Sequence, residues 1–281
     1  MTLSNQRIAI LAGGGALPNA VAQSATRMGN FVHIIGIEGE ADSSIEEHSH
    51  CWIKWGELGR LLKNIEAEKC SELIIIGSVT RPDLSEVRFD FGALKHLPTI
   101  LGLTIGGDNT VLSGVVKLFE SNGLNVRGAH ELAPDLVAPV GCLGRHQPDE
   151  MALKDIERAG KLLDALAPLD AGQGVVVTHE HVIAIEAVEG TDAMLTRAAG
   201  LQQWGRSKKN TKAGVLVKKP KLGQDMRIDM PAIGPKTIQG AIAAGLSGVA
   251  ISAGNVLLAD RDEMIRRADD AGLFIVGIEM S

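Results

Sequence analysis

The stretch Ile8-Ala9-Ile10-Leu11-Ala12-Gly13-Gly14-Gly15-Ala16-Leu17-Pro18 decides the fold class. The apolar run that ends at Ala12 reads as a buried strand, the three glycines as a turn, and Pro18 as part of a first helical turn, where its missing N–H is not needed. Glycines allow close approach of backbone to a phosphate, and a helix N-terminus offers unpaired N–H groups and the positive end of a dipole. Gly13, Gly14, Gly15, Ala16 and Leu17 are therefore candidate nucleotide-binding residues. The dinucleotide spacing Gly-x-Gly-x-x-Gly is not met, because its third glycine falls on Pro18. A nucleotide is favoured and a nicotinamide dinucleotide is not. Glu38 ends the next strand, where a ribose-binding acid lies.

The same alternation continues along the chain. Strands are expected at 31–37, 72–76 and 125–128, and helices at 16–28, 57–68 and within 92–124, with Leu58, Leu61, Leu62 and Ile65 at helical spacing. Residues 133–148 dissolve into Pro, Gly and short apolar pieces and read as a linker. A second cycle follows: a helix at 148–166, strands at 174–178 and 182–187 around a polar turn, a helix at 191–199, a strand at 213–217, and helix–strand pairs to 278. The fold class is α/β in two domains. Residues 1–132 form a Rossmann-like parallel sheet with helices on both faces, and 149–281 a second α/β domain.

Composition bounds the function. With 281 residues, 33 glycines, no tyrosine and a net charge of −6, the chain lacks both the aromatics and the basic field that nucleic-acid binding needs. Cys51, Cys70 and Cys142 form no C-x-x-C pair and suggest a reducing, cytoplasmic setting. Gly13 to Gly15 and Pro18 interrupt what otherwise imitates a cleavable leader. The uncharged run 237–259 is long enough to span a bilayer, but its glycines, Gln239 and Asn255 make a helix followed by a buried strand the better reading, so no transmembrane segment is expected.

Three acidic groupings are candidates for chemistry: Gly106-Gly107-Asp108, Glu186-Ala-Val-Glu189-Gly-Thr191-Asp192, and Gln224-Asp225-Met-Arg227-Ile-Asp229-Met-Pro231. Read as an extended segment, the third places Asp225, Arg227 and Asp229 on one face and Met226, Ile228 and Met230 on the other. An acid–base–acid face suits phosphate chemistry: Mg²⁺ takes a few carboxylates plus substrate phosphates, a carboxylate orients water, and an arginine neutralises charge. A surface strand with a local ion pair fits the same spacing. Thr191 and Asp192 also suit a plain helix start. Arg206, Lys208, Lys209, Lys212, Lys218, Lys219 and Lys221 crowd together, and Lys218 and Lys221, just before the Asp225 segment, are the candidates for a diphosphate. The others are compatible with a solvated loop or with transient contact with the anionic inner-membrane surface. His179 and His181 read as turn residues, since no third ligand accompanies them.

Across nearly its whole length the chain resembles the LpxI-type UDP-2,3-diacylglucosamine pyrophosphatases. The resemblance is carried by Ala12-Gly-Gly-Gly-Ala-Leu-Pro18, Arg81-Pro-Asp83, Gly128-Ala-His130, Gly172-Gln-Gly174, Glu186 to Leu195, Arg227-Ile-Asp229-Met-Pro231 and Ala271-Gly-Leu-Phe274. It implies Mg²⁺-dependent hydrolysis of UDP-2,3-diacylglucosamine to 2,3-diacylglucosamine 1-phosphate and UMP in lipid A biosynthesis, with a UDP-binding first domain, a lipid-binding second domain and chemistry in the cleft between them. By the same resemblance Asp229 is the essential aspartate, and Arg81 and Asp83 join the nucleotide site; Thr191, Lys218 and Lys221 are the further candidate substrate-binding residues. Asp229, Glu189, Asp192 and Asp108 are the metal candidates, and Asp229, Asp225 and Arg227 the catalytic ones. Met230 stands where the family carries Leu, and Asn109 where it carries a second acid. The alternatives are a non-catalytic carrier of acylated UDP-sugars and, against the evidence of Pro18, a nicotinamide-dependent oxidoreductase. Whether the protein forms a homodimer is left open.

Overall fold

The computed structural model describes residues 5–80, 83, 87–96, 108–169, 171–201 and 212–280, with backbone alone for 108–110. These fall into two compact units: 1–136 together with Asp225–Asp229, and 137–224 together with 230–281.

The first unit is a parallel sheet of β1 (Arg7–Ala12), β2 (Phe31–Ile37), β3 (Ser49–Ile53), β4 (Glu72–Ile76) and β5 (Asn125–Val126), in the order β3-β2-β1-β4-β5. The chain runs outward from β1 to β3 and then returns to the other side of β1. Strand order therefore reverses between β1 and β4, the place where open α/β sheets bind ligands. One face is covered by helices Leu58–Ala67 and Asp108–Ser121, whose Leu61, Ile65, Val116 and Phe119 pack on Ala9, Ile35 and Leu73. Helix Leu17–Arg27 packs against β1 and β2 through Val21, Ala22 and Ala25, all fully buried. Each such side chain removed from water contributes about 1–3 kcal/mol, which is why the apolar spacing fixes the helix faces.

The second unit holds β6 (Gly141–Cys142), β7 (Gly174–Thr178), β8 (His181–Ile185), β9 (Val215–Lys218), β11 (Gly248–Ser252) and β13 (Phe274–Ile278), in the order β6-β13-β11-β9-β7-β8. Strands β9, β11 and β13 are mutually parallel, whereas β7 runs antiparallel to both β8 and β9. Two short strands, β10 (Ala232–Ile233) and β12 (Leu257–Leu258), pair separately. Period-two alternation divides the sheet: Val175, Val177, Val215 and Val217 face Ile156, Ala159 and Leu163 of helix Glu150–Leu166. On the other face Val176, Leu216, Val249 and Ile251 pack with Leu195, Ile238 and Met264 from helices Gly190–Gly200, Pro235–Ala243 and Arg261–Asp270.

Residues 237–259 are a helix end followed by β11 and β12, and no helix among the described residues is long and apolar enough to cross a membrane. The stretch read as a linker contains a 3-10 turn at Pro134–Leu136 and the strand Gly141–Cys142, which pairs with β13.

Candidate functional site

In the first unit, the glycine turn is fastened to the extension of β4. Gly13 N–H donates to the Ile76 carbonyl at 2.9 Å, while Gly14 and Ser78 exchange backbone bonds of 2.7 and 3.0 Å. A Cβ on Gly13 would overlap the Ser78 carbonyl oxygen, and one on Gly14 would stand 2.9 Å from that of Glu40. Both positions need glycine because neighbouring backbone fills the space. Gly15 differs: its φ is +92° and nothing lies within 4 Å of a Cβ there. Its N–H donates to Asp42 Oδ2 at 2.7 Å, and the N–H of Thr80 donates to Glu40 Oε2 at 3.0 Å. The turn thus meets acids of the β2–β3 connection. Nothing in the spacing around Gly13 announced Glu40 or Asp42, which lie more than twenty residues on in the chain. Ala16 and Leu17 open helix Leu17–Arg27, which has no side-chain cap at its start. Asp83 is exposed, whereas Arg81 lies outside the described residues.

The Asp225–Asp229 segment corrects the sequence expectation. It is a turn rather than an extended strand: Asp229 N–H donates to the Asp225 carbonyl at 3.0 Å, and that of Ile228 to the same oxygen at 3.2 Å. In a turn of this pitch, positions 225 and 229 come to the same side and 227 swings away, so the three do not form one flat row. Arg227 instead folds back onto its own neighbour, with Nε to Asp225 Oδ1 at 2.9 Å and Nη2 to Oδ2 at 2.7 Å. Nη1 donates to Glu120 Oε1 at 2.8 Å. This two-pronged pairing with Arg227 holds the Asp225 carboxyl below its ordinary range and raises the Arg227 pKa. Ile228 packs on the first unit's core. That apolar anchor explains why a segment late in the chain belongs to the first unit.

In the second unit, Thr191 and Lys218 are in contact. Lys218 Nζ donates to Thr191 Oγ1 at 2.6 Å, and the Thr191 hydroxyl donates to Glu186 Oε1 at 2.9 Å. Alternation sends the next residue, Lys219, to the opposite face, where its Nζ meets Asp164 Oδ1 at 2.5 Å. Lys221 N–H donates to the side chain of Gln224 at 2.8 Å. Glu186, which the sequence offered only as the first acid of its grouping and to which no role was given, is the most involved of these residues.

Two of the metal candidates are engaged by cations. Glu189 pairs with Arg197 at 2.6 Å, which lowers its pKa, and Asp192 pairs with Lys236 at 2.7 Å, which raises that of the lysine. No side-chain description covers Asp108. Among the described residues no group of three His, Cys, Asp or Glu is placed to hold a metal ion. His179 has a positive φ of 49° in the β7–β8 turn, and its N–H and that of Glu180 donate to the buried carboxylate of Asp155 at 3.1 and 2.6 Å. His179 therefore belongs to the turn, whereas His181, also read as a turn residue, opens β8 in register with Thr178.

Comparison with known proteins covers both units. The LpxI N-terminal domain family matches residues 7–136, and the LpxI C-terminal domain family matches 139–276. A relative from Caulobacter vibrioides (strain ATCC 19089 / CIP 103742 / CB 15), named UDP-2,3-diacylglucosamine pyrophosphatase LpxI, is 38% identical over 98% of both chains. Two solved structures are similar at much lower identity. N5-carboxyaminoimidazole synthetase from Staphylococcus aureus is 14% identical over 63% of this chain and 40% of that one, with a TM-score of 0.24. UDP-glucose-4-epimerase from Stenotrophomonas maltophila is 11% identical over 70% and 62%, with a TM-score of 0.28, and neither likeness carries an argument. With both halves matched in order and a relative this similar along its full length, the chain belongs to the LpxI family.

Proposed function

We propose that the chain hydrolyses the pyrophosphate bond of UDP-2,3-diacylglucosamine, releasing 2,3-diacylglucosamine 1-phosphate and UMP in lipid A biosynthesis. The observation that carries this reading is the 38% identity, over 98% of both chains, to a protein named for that activity. Water adds across the P–O–P bridge, so each product leaves with one phosphorus. The glycine turn at Gly13–Gly15, at the reversal of strand order, supports a UDP site there with Ala16, Leu17, Arg81 and Asp83. Lys218 and Lys221 serve the acyl-sugar phosphate, with Thr191 bonded to the Lys218 ammonium. Asp229 is the candidate to orient the attacking water. Arg227, bonded to Asp225 and Glu120, holds the turn that carries Asp229.

Mg²⁺ is part of the proposal, although the described carboxylates form no ready cage for it. Glu189 and Asp192 each have a cationic partner, so neither is offered as a ligand in this arrangement. When bound, Mg²⁺ supplies charge neutralisation on the diphosphate, for which it needs only one or two protein carboxylates. The setting proposed is the cytoplasmic side of the inner membrane.

The test is to incubate purified protein with UDP-2,3-diacylglucosamine and Mg²⁺, with and without EDTA, and to measure UMP and the sugar 1-phosphate. Chelator-sensitive release of both is expected, with turnover reduced at least about a hundredfold in Asp229→Ala. Tight binding without cleavage would replace the enzyme reading with that of a carrier. Wild-type turnover in the variant would remove Asp229 from the chemistry.

A further inference from the structure

Three neighbouring strands of the second unit bring Glu186, Gly174 and Lys218 into one row. Gly174 is in register with Lys218 on one side, and on the other its carbonyl accepts the Glu186 N–H at 2.9 Å. The middle position has no side chain, and a Cβ there would stand 2.5 Å from Glu186 Oε2. Glycine at 174 thus lets the carboxylate lie across β7 toward Lys218. Gly172 makes room for the same residue, since a Cβ there would overlap the Glu186 carbonyl, and its φ of +52° favours glycine.

The resulting chain of contacts runs Glu186 Oε1, Thr191 Oγ1, Lys218 Nζ, with links of 2.9 and 2.6 Å and a direct Glu186–Lys218 separation of 3.9 Å. Glu186 and Lys218 are only 9% and 7% exposed. Glu186 Oε2 is buried and has no hydrogen-bond partner among the described residues. A buried carboxylate with one unmatched oxygen lowers stability relative to an apolar side chain of similar size. Its retention here therefore calls for a use other than holding the fold. The single hydroxyl proton of Thr191 is committed to Glu186, so toward Lys218 the threonine can only accept. Lys218 ends β9, at the carboxyl edge of the parallel strands, where ligands of such sheets bind.

We propose that Glu186 is a positioning residue for the phosphate of the acylated sugar, acting through the Thr191 hydroxyl to aim the Lys218 ammonium, with Thr191 as a relay that does not itself touch the phosphate. This rests on the reading of Lys218 as a substrate contact.

The experiment compares Glu186→Gln, Thr191→Val, Thr191→Ser and the Glu186→Gln/Thr191→Val double variant with wild type for hydrolysis of UDP-2,3-diacylglucosamine. Melting temperatures are recorded alongside. Each of the first two is expected to lower kcat/KM by about tenfold or more, Thr191→Ser to stay near wild type, and the double to be no worse than the weaker single. A purely structural role would move melting temperatures and leave kcat/KM of the folded protein unchanged. Glu186→Gln within about twofold of wild type, or losses that multiply in the double variant, would overturn the proposal. If Glu186→Gln does not fold, the Thr191 pair decides, and full turnover in Thr191→Val is the overturning result. If wild type does not cleave the substrate, the functional reading fails on its own. Calorimetric binding of inorganic pyrophosphate then decides the positioning role: equal weakening in Glu186→Gln and Thr191→Val supports it, and unaltered binding, or none to wild type, overturns it.

Discussion

Two glycine pairs at two sheet edges invite comparison: Gly13 and Gly14 after β1, and Gly172 and Gly174 before and within β7. In the first pair, the space a side chain would need is filled by the backbone at Ser78 and Glu40. In the second, Glu186 fills it twice, with its carbonyl beside Gly172 and its carboxylate beside Gly174. The first pair lets two stretches of main chain bond to each other. The second lets a charged group cross a strand. A glycine motif therefore does not by itself mean a phosphate site. What it means depends on what occupies the missing Cβ's place.

The largest effects should come where backbone is the obstacle. Gly172→Ala meets a carbonyl and a positive φ together, and Gly13→Ala meets a carbonyl. Each should cost about 3 kcal/mol or more, Gly172→Ala the greater, read as the shift in urea midpoint. Equal stability to wild type in either would break the distinction. Gly174→Ala should cost about 1–3 kcal/mol, because it meets the movable end of a side chain. Here Glu186→Ala should restore part of the loss in the double variant, whereas no side-chain truncation should restore Gly13→Ala. Additive losses at 174 and 186 would show that the carboxylate is not what the glycine admits.

A smaller effect belongs to the charged cluster around Arg227. The Asp225–Arg227 pair is partly open to water, with side chains 25% and 38% exposed, so screening should keep its contribution below about 1 kcal/mol. The Asp225 pKa is lowered in the folded chain, first through its bonds to Arg227. Its contribution is accordingly present above the unfolded carboxyl value, near about pH 3.9, and is lost as pH falls through the lower folded value. The wild-type advantage over Asp225→Asn, followed by denaturation at a series of pH values, should vanish below that window. An advantage that persisted there would mean that shape rather than charge holds the turn.

Much of the fold was legible because it rests on local periodicity. The strands at Arg7–Ala12 and Phe31–Ile37 and the helix Leu58–Ala67 follow from apolar runs and spacings that any neighbour would have to bury. The turn around His179 was also readable, as polar residues between two strands. The Asp225–Asp229 segment misled because five residues of alternating polar and apolar character fit a strand and a turn equally well. Its outcome was set by Glu120, more than a hundred residues away, and by the core that receives Ile228.

The sequence by itself determined the two α/β cycles, the glycine turn after β1, and, through motifs in order, the family. These depend on period, chirality and residue type, which are properties of short segments. Only the tertiary structure decided that Arg227 is spent on Asp225 and Glu120, that Lys218 and Lys219 part to opposite faces, and that Glu186 reaches Thr191 across Gly174. The contacts to Glu120, Thr191, Asp164 and Glu186 join residues from different parts of the chain. Their partner choice is fixed by sheet register and by the space a missing side chain leaves, neither of which is local to the residues involved.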